Sequence, residues 1–457
     1  MPSAKRPYFS RASERYLKFV VPDRCRLLVF GGSDVGFLQS LRSESLVNIV
    51  ESTENVGAEI AHAPNVELIR VQSYDESLQI EALETHGPFD AVIFMDTLGM
   101  VKDIQKFLER LHPLCSDDTR LINMYFNYAW GPLFWIAEQV GLKTKVKETN
   151  WLKMSDVENL FNLSGYDVVR KEWRVLAPFF LFGFGEIINR FFATLPIIRK
   201  ACARHFLIAR RVPVQSNYSP SVSIIIPCRN ERGNIESAVK RIPQIGSKTE
   251  LIFVEGMSSD GTWEEIVNVE RRFPEKNIRY ARQEGIGKGD AVRHGFKMAH
   301  GDILMILDAD LTVPPEDLPK FYNVIHNGEG EFINGTRLVY SRENHAMRFL
   351  NLVANHLFAS IFSYLLNQRI TDTLCGTKVL SRRHYERISQ NRVYFGDFDP
   401  FGDFDLIFGA AKLNLKSVEV PIRYASRRYG ETQISRFSHG FLLLRMVLFA
   451  YRKLKAI

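Results

Sequence analysis

Residues 302–310 read DILMILDAD, an apolar run that ends in two aspartates separated by one alanine. The run 303–307 has the composition of a buried β-strand. Residues i and i+2 of a strand point to the same side, so the pattern predicts that the carboxylates of Asp308 and Asp310 converge. Two such charges need a cation, and their oxygens suit Mg²⁺ or Mn²⁺, which binds a diphosphate. The alternative is a polar loop whose acids cap the helix predicted by the following LTVPPEDL.

Two earlier stretches repeat this pattern of an apolar strand that ends in a polar turn. They are VSIIIPCRNE at 222–231 and ELIFVEGMSSDGT at 250–262, and helix-like stretches separate them. Alternating strands and helices predict a mostly parallel sheet, whose ligands bind beyond the carboxyl ends of the strands. The polar turns after these strands are therefore the predicted site.

The N-terminal half contains a second series of strands. The predicted strands lie in CRLLVFGGSDVGFL (25–38), VNIVE (47–51), VELIRVQSYD (66–75) and FDAVIFMD (89–96), and YDVVRKEW (166–173) and ARHFLIARR (203–211) predict an antiparallel pair that closes the sheet. The polar, proline-containing RVPVQSNYSP separates the two series and reads as a linker. We therefore predict an α/β protein with two doubly wound domains, at 1–212 and 221–457, joined by a linker at 213–220.

Composition limits the functional classes. The chain has 457 residues, a net charge of +7 and five scattered cysteines without metal-ligand spacing, which is typical of a reducing cytoplasm. The positive charge is compatible with phosphorylated ligands or an anionic membrane surface. No signal peptide is predicted, and no uncharged apolar run reaches about 18 residues. We expect a cytoplasmic protein, soluble or peripheral at the cytoplasmic face of a membrane, with no nucleic-acid partner.

The motifs IIIPCRNE, VEG-x-SSDGT, GKGDAVRHG and LDADL occur in the order found in glycosyltransferase family 2. Residues 221–440 resemble that family, which has the GT-A fold, and in particular enzymes of the dolichol-phosphate mannose synthase type. The resemblance implies a nucleotide-sugar donor, with Asp308 and Asp310 as metal ligands and catalytic residues. It also implies the following donor-binding residues: Pro227, Arg229, Glu231, Glu255, Lys288 and Asp290.

The resemblance further implies transfer with inversion to a polyprenyl phosphate. The residues that it assigns to the acceptor, or that are available to hold an anionic acceptor, are Arg337, Arg348, Lys378 and Arg428, the last in the segment RRYGETQIS with Arg427 and Gly430. A phosphate acceptor is already an anion, whereas a hydroxyl acceptor needs a general base, for which Asp403 and Asp405 are the candidates. The alternatives are transfer to a soluble glycan or small-molecule hydroxyl, and a nucleotide-sugar sensor or scaffold without turnover.

Residues 20–212 resemble class I S-adenosylmethionine-dependent methyltransferases. By this resemblance the cofactor-binding positions are Gly31, Gly32, Glu51, Asp75 and Asp96, although the glycine turn departs from the G-x-G-x-G of that family. The alternative is a degenerate domain used for docking or regulation.

Two stretches bear on a membrane contact. FLNLVANHLFASIFSYLL (349–366) and the C-terminal FLLLRMVLFAYRKLK predict amphipathic helices. We expect most of both helices to pack on a core and one face of either to be available to lipid.

Overall fold

The computed structural model describes residues 7–457 except 33, 53–64, 76–82, 142–149, 151, 215–216, 338, 340–348, 397–398, 400–401, 428 and 430–435. The chain divides into two compact units. The first comprises Met1–Pro213 together with Leu454–Ile457, and the second comprises Val214–Lys453. Our sequence-based division ended the second domain at Ile457, whereas the last four residues lie in the first unit.

The first unit is built on a seven-stranded sheet of order β3-β2-β1-β4-β5-β7-β6. Its strands are β1 (Arg26–Phe30), β2 (Ser45–Glu51), β3 (Val66–Val71), β4 (Phe89–Met95), β5 (Cys115–Phe126), β6 (Tyr166–Arg174) and β7 (Arg204–Arg211). Its helices are α1 (Tyr8–Val20), α2 (Val35–Gln39), α3 (Ile104–Glu109), α4 (Gly131–Gln139), α5 (Met154–Leu163) and α6 (Phe184–Ile187).

Strand direction in the first sheet follows the predicted pattern. The pairs from β3 to β5 are parallel, and β7 runs antiparallel to both β5 and β6. The predicted closing pair is thus confirmed. The apolar faces of these strands, including Leu28, Phe94 and Leu207, form the core of the unit.

The second unit is built on a seven-stranded sheet of order β10-β9-β8-β11-β13-β12-β14. Its strands are β8 (Val222–Cys228), β9 (Thr249–Glu255), β10 (Asn277–Arg282), β11 (Ile303–Ile306), β12 (Phe332–Thr336), β13 (Lys378–Ser381) and β14 (Ser417–Pro421). Its helices are α7 (Arg232–Arg241), α8 (Thr262–Arg272), α9 (Lys288–Met298), α10 (Leu318–His326), α11 (Phe349–Leu366), α12 (Arg382–Gln390), α13 (Phe404–Lys412) and α14 (Arg436–Ala450). The α/β class predicted for both halves is confirmed.

The second sheet is mixed. Strands β10, β9, β8 and β11 are parallel, β13 is antiparallel to β11 and β12, and β12 is parallel to β14. Its core includes Ile224, Phe253 and Met305. None of the described helices is long and apolar enough to cross a membrane.

The segment Leu454–Ile457 is fixed within the first unit by buried polar contacts. The Lys455 ammonium lies 3.0 Å from a carboxylate oxygen of Glu172, and both side chains are fully buried. Arg174 donates to the Lys455 carbonyl at 2.6 Å, and Arg190 donates to the Ala456 carbonyl at 3.0 Å. Burial opposes the ionisation of Glu172, but the nearby cations hold the pKa of its carboxyl below the usual value.

Candidate active site

The predicted site lies at one edge of the second sheet. The parallel strands β8, β9 and β11 end there at Cys228, Glu255 and Ile306. Strand β13 runs the other way and begins at this edge with Lys378. The loops that follow three strands, and the turn that precedes a fourth, therefore converge on one region.

Hydrogen bonds join the first two of these loops. The Asn230 amide donates to the Ser258 hydroxyl at 2.9 Å, and the Ser259 amide donates to the Asn230 side-chain oxygen at 2.9 Å. The Glu231 amide donates to the Thr262 hydroxyl at 3.0 Å. Such reciprocal bonds fix the loops relative to each other, so the groups they carry are positioned before a ligand arrives.

The residues of the IIIPCRNE motif differ in exposure. Pro227 is half-buried at the end of β8, Arg229 is exposed and Glu231 is buried. Glu231 accepts a hydrogen bond from Asn234 at 2.6 Å, and its other oxygen lies 3.7 Å from the Arg427 guanidinium. Burial raises the pKa of the Glu231 carboxyl above its usual value. Of the three, the exposed Arg229 is the side chain best placed to meet an anionic ligand.

Two acids organise the turn after β9. Glu255 is buried and accepts a hydrogen bond from the Ser258 amide, and the Arg282 guanidinium lies 3.9 Å from it. Asp260 accepts from the Thr262 hydroxyl at 2.5 Å and from its amide at 3.0 Å. Asp260 was missed as a site residue, although the quoted SSDGT turn was the signal that contained it.

Asp308 and Asp310 lie in the turn after β11, not within the strand as the period-2 argument assumed. Each carboxylate has its own cationic partner. Asp308 lies 2.7 Å from the Lys288 ammonium. Asp310 accepts from the Arg427 guanidinium at 2.7 Å and from the Thr312 hydroxyl at 2.8 Å. The two acids are thus each neutralised by a different basic residue.

Lys288 connects Asp308 to a second acid. Its ammonium lies 3.9 Å from Asp403, which lies 3.1 Å from the fully buried Lys378. Lys378 also donates to the Cys375 carbonyl at 2.5 Å. Burial disfavours both charges of the Lys288–Asp308 pair, but their attraction raises the pKa of Lys288 and lowers that of Asp308. We call Lys288, Asp308, Lys378 and Asp403 the four-charge cluster.

Glycines allow this cluster to form. Gly289 and Gly402 approach so closely that a Cβ on Gly289 would lie 2.9 Å from the Gly402 Cα. A Cβ on Gly376 would collide with Asp308 and lie 2.5 Å from the Lys288 ammonium. Sequence reasoning did not identify these glycines as site residues.

Two further predicted acids bind protein groups outside the four-charge cluster. Asp290 accepts a hydrogen bond from the Gly285 amide at 2.8 Å and thereby closes the loop before α9. Asp405 lies 2.8 Å from the Arg392 guanidinium, and its amide donates to Asp399 at 2.8 Å. Asp403 and Asp405 therefore have different surroundings, although they were predicted as equivalent candidates.

Two of the predicted acceptor-binding cations, Arg337 and Lys378, already have partners. Arg337 forms a two-point ion pair with Asp372 at 2.6 and 2.8 Å and stacks over Tyr424. Lys378 is in the interior. Their assignment to the acceptor stays a prediction. Arg348, Arg428 and Gly430 lie outside the described residues.

The donor set at Asp308 and Asp310 fits a hard divalent cation. Both groups are carboxylates, the ligand type that Mg²⁺ and Mn²⁺ prefer, and they are one residue apart in one turn. Their present partners, Lys288 and Arg427, are the cations that a metal ion would meet there.

The glycine turn proposed for S-adenosylmethionine is covered by a side chain. Gly31 and Gly32 have φ of 81° and 82°, as the predicted turn requires. The Met95 sulfur would lie 2.7 Å from a Cβ on Gly32, and Asn48 donates to the Gly32 carbonyl at 3.2 Å. The turn thus packs against its own sheet.

Two of the three acids of the same predicted site, Asp75 and Asp96, have protein partners. Both oxygens of Asp75 accept from the Lys102 amide, at 3.0 and 3.1 Å, and Asp96 is ion-paired with Arg204. Glu51 is half-buried at the end of β2. S-adenosylmethionine binding at this site stays a prediction, and we derive no methyl-transfer step from it.

Comparison with known proteins bears on the second unit. Residues 223–389 match the model of glycosyltransferase family 2. The dolichol-phosphate mannosyltransferase of Pyrococcus furiosus is 31% identical over 238 residues, covering 51% of this chain and 64% of the relative. The low-salt glycan biosynthesis hexosyltransferase Agl6 of Haloferax volcanii is 25% identical over 236 residues, covering 51% of this chain and 54% of the relative. The chain thus spans less than two thirds of either relative.

Among solved structures, glucosyl-3-phosphoglycerate synthase of Mycobacterium tuberculosis, in complex with Mn²⁺, UDP and glucosyl-3-phosphoglycerate, is 20% identical with a TM-score of 0.38. That match covers 52% of this chain and 81% of the other. The family match includes the end of β9 with Glu255 and the loops after β8, β9 and β11. These loops contain Glu231 and the turn Asp308-Ala309-Asp310, which we call the DAD turn. Within the second unit, residues 223–389 are therefore similar to glycosyltransferase family 2.

Proposed function

We propose that the chain is a metal-dependent, inverting glycosyltransferase that moves a sugar from a nucleotide-sugar donor to a polyprenyl phosphate at the cytoplasmic face of a membrane. The observation that carries the proposal is the DAD turn. Asp308 and Asp310 follow a central strand of a family 2 domain, and each is already paired with a cation. A turn of this composition is suited to hold a divalent ion and the diphosphate of a donor.

The donor half of the reaction follows from charge. Asp308 and Asp310 would hold Mg²⁺ or Mn²⁺, which stabilises the negative charge that develops on the leaving diphosphate. Lys288 and Arg427 lie against the same carboxylates and would then be available to the diphosphate oxygens. Arg229 is exposed at the neighbouring loop and adds a third cation. The chain thus supplies both the ligands of the metal and the positive groups around it.

The acceptor half is supported by the relatives and by the chemistry of a phosphate nucleophile. The relative from Pyrococcus furiosus is a dolichol-phosphate mannosyltransferase. An ionised phosphate needs no general base, and Asp403 and Asp405 are both paired with cations. Arg337 can hold such an acceptor only by sharing or leaving Asp372. Peripheral contact is supported by α14, whose Phe441, Leu444 and Leu448 are exposed.

A soluble hydroxyl acceptor is the second candidate. Of the two candidate general bases for a hydroxyl acceptor, Asp403 is better placed than Asp405, because its carboxylate lies 3.9 Å from the Lys288 ammonium and hence near the donor region. In that case Asp403 would accept the proton of the attacking hydroxyl.

The proposed activity is tested by the transfer of labelled sugar from a panel of nucleotide sugars to short polyprenyl phosphates and to the matching free alcohols. We expect Asp310→Asn to lower metal-dependent transfer by about 10²-fold or more, because the amide removes a ligand charge from the cation. Asp117→Asn makes the same change at an exposed carboxylate of the first unit and should leave transfer unchanged.

Three results would count against the proposal. Full metal-dependent turnover by Asp310→Asn would exclude the metal assignment. Preference for the free alcohols would move the acceptor to the hydroxyl class. Binding of a nucleotide sugar without turnover would support the sensor.

A further inference from the structure

The first unit presents a cluster of exposed aromatic and aliphatic side chains between β6 and β7. Phe182 is 100% exposed, Ile197 is 87% exposed, and Phe179 and Phe184 are each 67% exposed. We call this the 179–197 patch, and its other exposed members include Phe180 and Ile187. Scattered single apolar residues are normal on a protein surface, but a concentration of this kind within one short segment marks an interaction site.

The patch has a closed base. The Asn189 side-chain oxygen accepts from the amides of Leu176 and Ala177, each at 2.8 Å. Its nitrogen donates to the Ala177 carbonyl at 2.7 Å and to the Tyr8 hydroxyl at 3.1 Å. Three of these four bonds join Asn189 to Leu176 and Ala177 at the start of the segment, and the fourth joins it to α1. These bonds fix the base of the segment, and the apolar side chains at its tip, including Phe182, are exposed.

The tip itself is a strained turn. Leu181 and Phe182 have φ of 46° and 52°, and Gly183 follows with φ of 97°. Bulky side chains in the left-handed region cost free energy that packing must offset. The Gly183 amide donates to the Phe180 carbonyl at 2.9 Å, which closes the turn. This conformation places Phe182 at full exposure, where it contributes nothing to the core.

The charge around the patch is positive. Residues 176–200 contain one acid, Glu186, and three bases, Arg190, Arg199 and Lys200. Glu186 is ion-paired with Arg15 at 2.8 Å, so its charge is compensated. An apolar patch flanked by excess positive charge is complementary to an interface that is apolar below and anionic above.

A second apolar row is fastened to the same segment. The Trp130 indole donates to the Ala201 carbonyl at 2.8 Å, and Asn127 donates to the Lys200 carbonyl at 3.2 Å. Helix α4, which follows Trp130, exposes Trp135 at 63% together with Leu133 and Ile136. Tryptophan is the side chain most characteristic of the headgroup region of a bilayer.

We infer that the first unit binds an anionic lipid bilayer by inserting the 179–197 patch into the headgroup region, with the exposed Lys200 facing the lipid phosphates. The inference concerns the first unit alone and does not rest on the proposed acceptor. It assigns this unit a role in holding the enzyme on a membrane.

The test is co-sedimentation of the full chain with vesicles of phosphatidylcholine, alone or with about 30 mol % phosphatidylglycerol, without polyprenyl phosphate. Phe179→Asp with Phe182→Asp should lower binding to the anionic vesicles at least about tenfold, since two charges replace inserted rings. Lys200→Glu should lower anionic binding about fivefold or more and leave binding to phosphatidylcholine unchanged.

Two matched variants separate this surface from others. Val393→Asp places the same charge at an exposed apolar residue of the second unit, and Phe441→Asp places it on α14. Val393→Asp should bind vesicles like the unchanged chain, and Phe441→Asp, which tests the contact proposed for α14, should retain more binding than the Phe179/Phe182 variant. Unchanged binding by the Phe179/Phe182 variant, with a circular dichroism spectrum that shows it folded, would overturn the inference. So would loss of binding only in Phe441→Asp, or a lipid-independent dimer that the patch variant abolishes.

Discussion

At the residue scale, Asp403 and Asp405 show how two acids of one short motif acquire different roles. Asp403 neutralises Lys378, which is fully buried, whereas Asp405 pairs with the half-buried Arg392. Removal of one partner from a buried ion pair leaves an uncompensated charge in a medium that solvates it poorly. Removal of Asp403 should therefore cost more stability than removal of Asp405.

We expect Asp403→Asn to lower the free energy of unfolding of the second unit by about 3 kcal/mol. Asp405→Asn should cost about 1 kcal/mol, since solvent reaches Arg392. Denaturant titrations measure both. Transfer to polyprenyl phosphate per folded molecule should survive in both variants, because a phosphate nucleophile needs no base. Loss of that transfer in folded Asp403→Asn would mean that Asp403 acts in the reaction.

His205 is a second residue whose surroundings make a prediction. Its ring is buried between Tyr125 and Trp173, and neither ring nitrogen has a hydrogen-bond partner among the described residues. Burial lowers the pKa of His205 to about 4 from the ordinary 6.5. Between these values the unfolded chain binds a proton that the folded chain does not. The contribution of the neutral His205 to the free energy of unfolding is therefore fully present above pH 6.5 and is lost as the pH falls toward 4.

The expected loss from His205 alone is about 3 kcal/mol across that interval. His205→Phe removes the titrating group and keeps an aromatic ring. Melts of both proteins between pH 4 and 7 should show a shallower pH dependence in the variant. Parallel curves for the two proteins would show that His205 does not titrate in this way.

At the element scale, the first turn of α9 is positioned by the contact of Gly289 with Gly402. Gly289→Ala should push Lys288 away from Asp403 and lower transfer about tenfold or more, since displacement of catalytic groups by fractions of an ångström is costly. Alanine favours a helix by about 1 kcal/mol over glycine, so stability should fall little. Lys297→Ala, on an exposed position of the same helix, is the control. Equal activity of the two variants would contradict the positioning role.

Strand ends were predictable from the sequence, and side-chain partners were not. Glu255, Asp308 and Asp310 each follow an apolar run, so a local pattern located them at the edge of the sheet. Arg427 meets Asp310 across 117 positions. No periodicity encodes such a pair. For the same reason the sequence indicated basic acceptor residues without showing that Asp372 already binds Arg337.

At the scale of the whole molecule, the first unit depends on residues from the far end of the sequence. Lys455 is the buried counter-ion of Glu172, and Arg174 and Arg190 bind the adjoining carbonyls. Lys455→Met should lower the free energy of unfolding of the first unit by about 3 kcal/mol, because the buried Glu172 loses its ammonium partner. The double variant Glu172→Gln with Lys455→Met should be less stable still, because Glu172 also lies 3.6 Å from the buried Arg170 and 3.5 Å from the buried Arg174, which would lose their carboxylate. Tryptophan fluorescence and circular dichroism melts would measure both.

The same contacts set an order of events during synthesis. A ribosome releases residues 1–213 first, but the segment 454–457 that completes this unit emerges only after the whole second unit has been made. Domains usually fold one after another as they emerge. Here the nascent first unit must wait, with Glu172 lacking its ammonium partner, until more than two hundred further residues have been translated. A fragment that stops at the linker would lack this closing segment, so the first unit should be expressed with residues 454–457 or within the full chain.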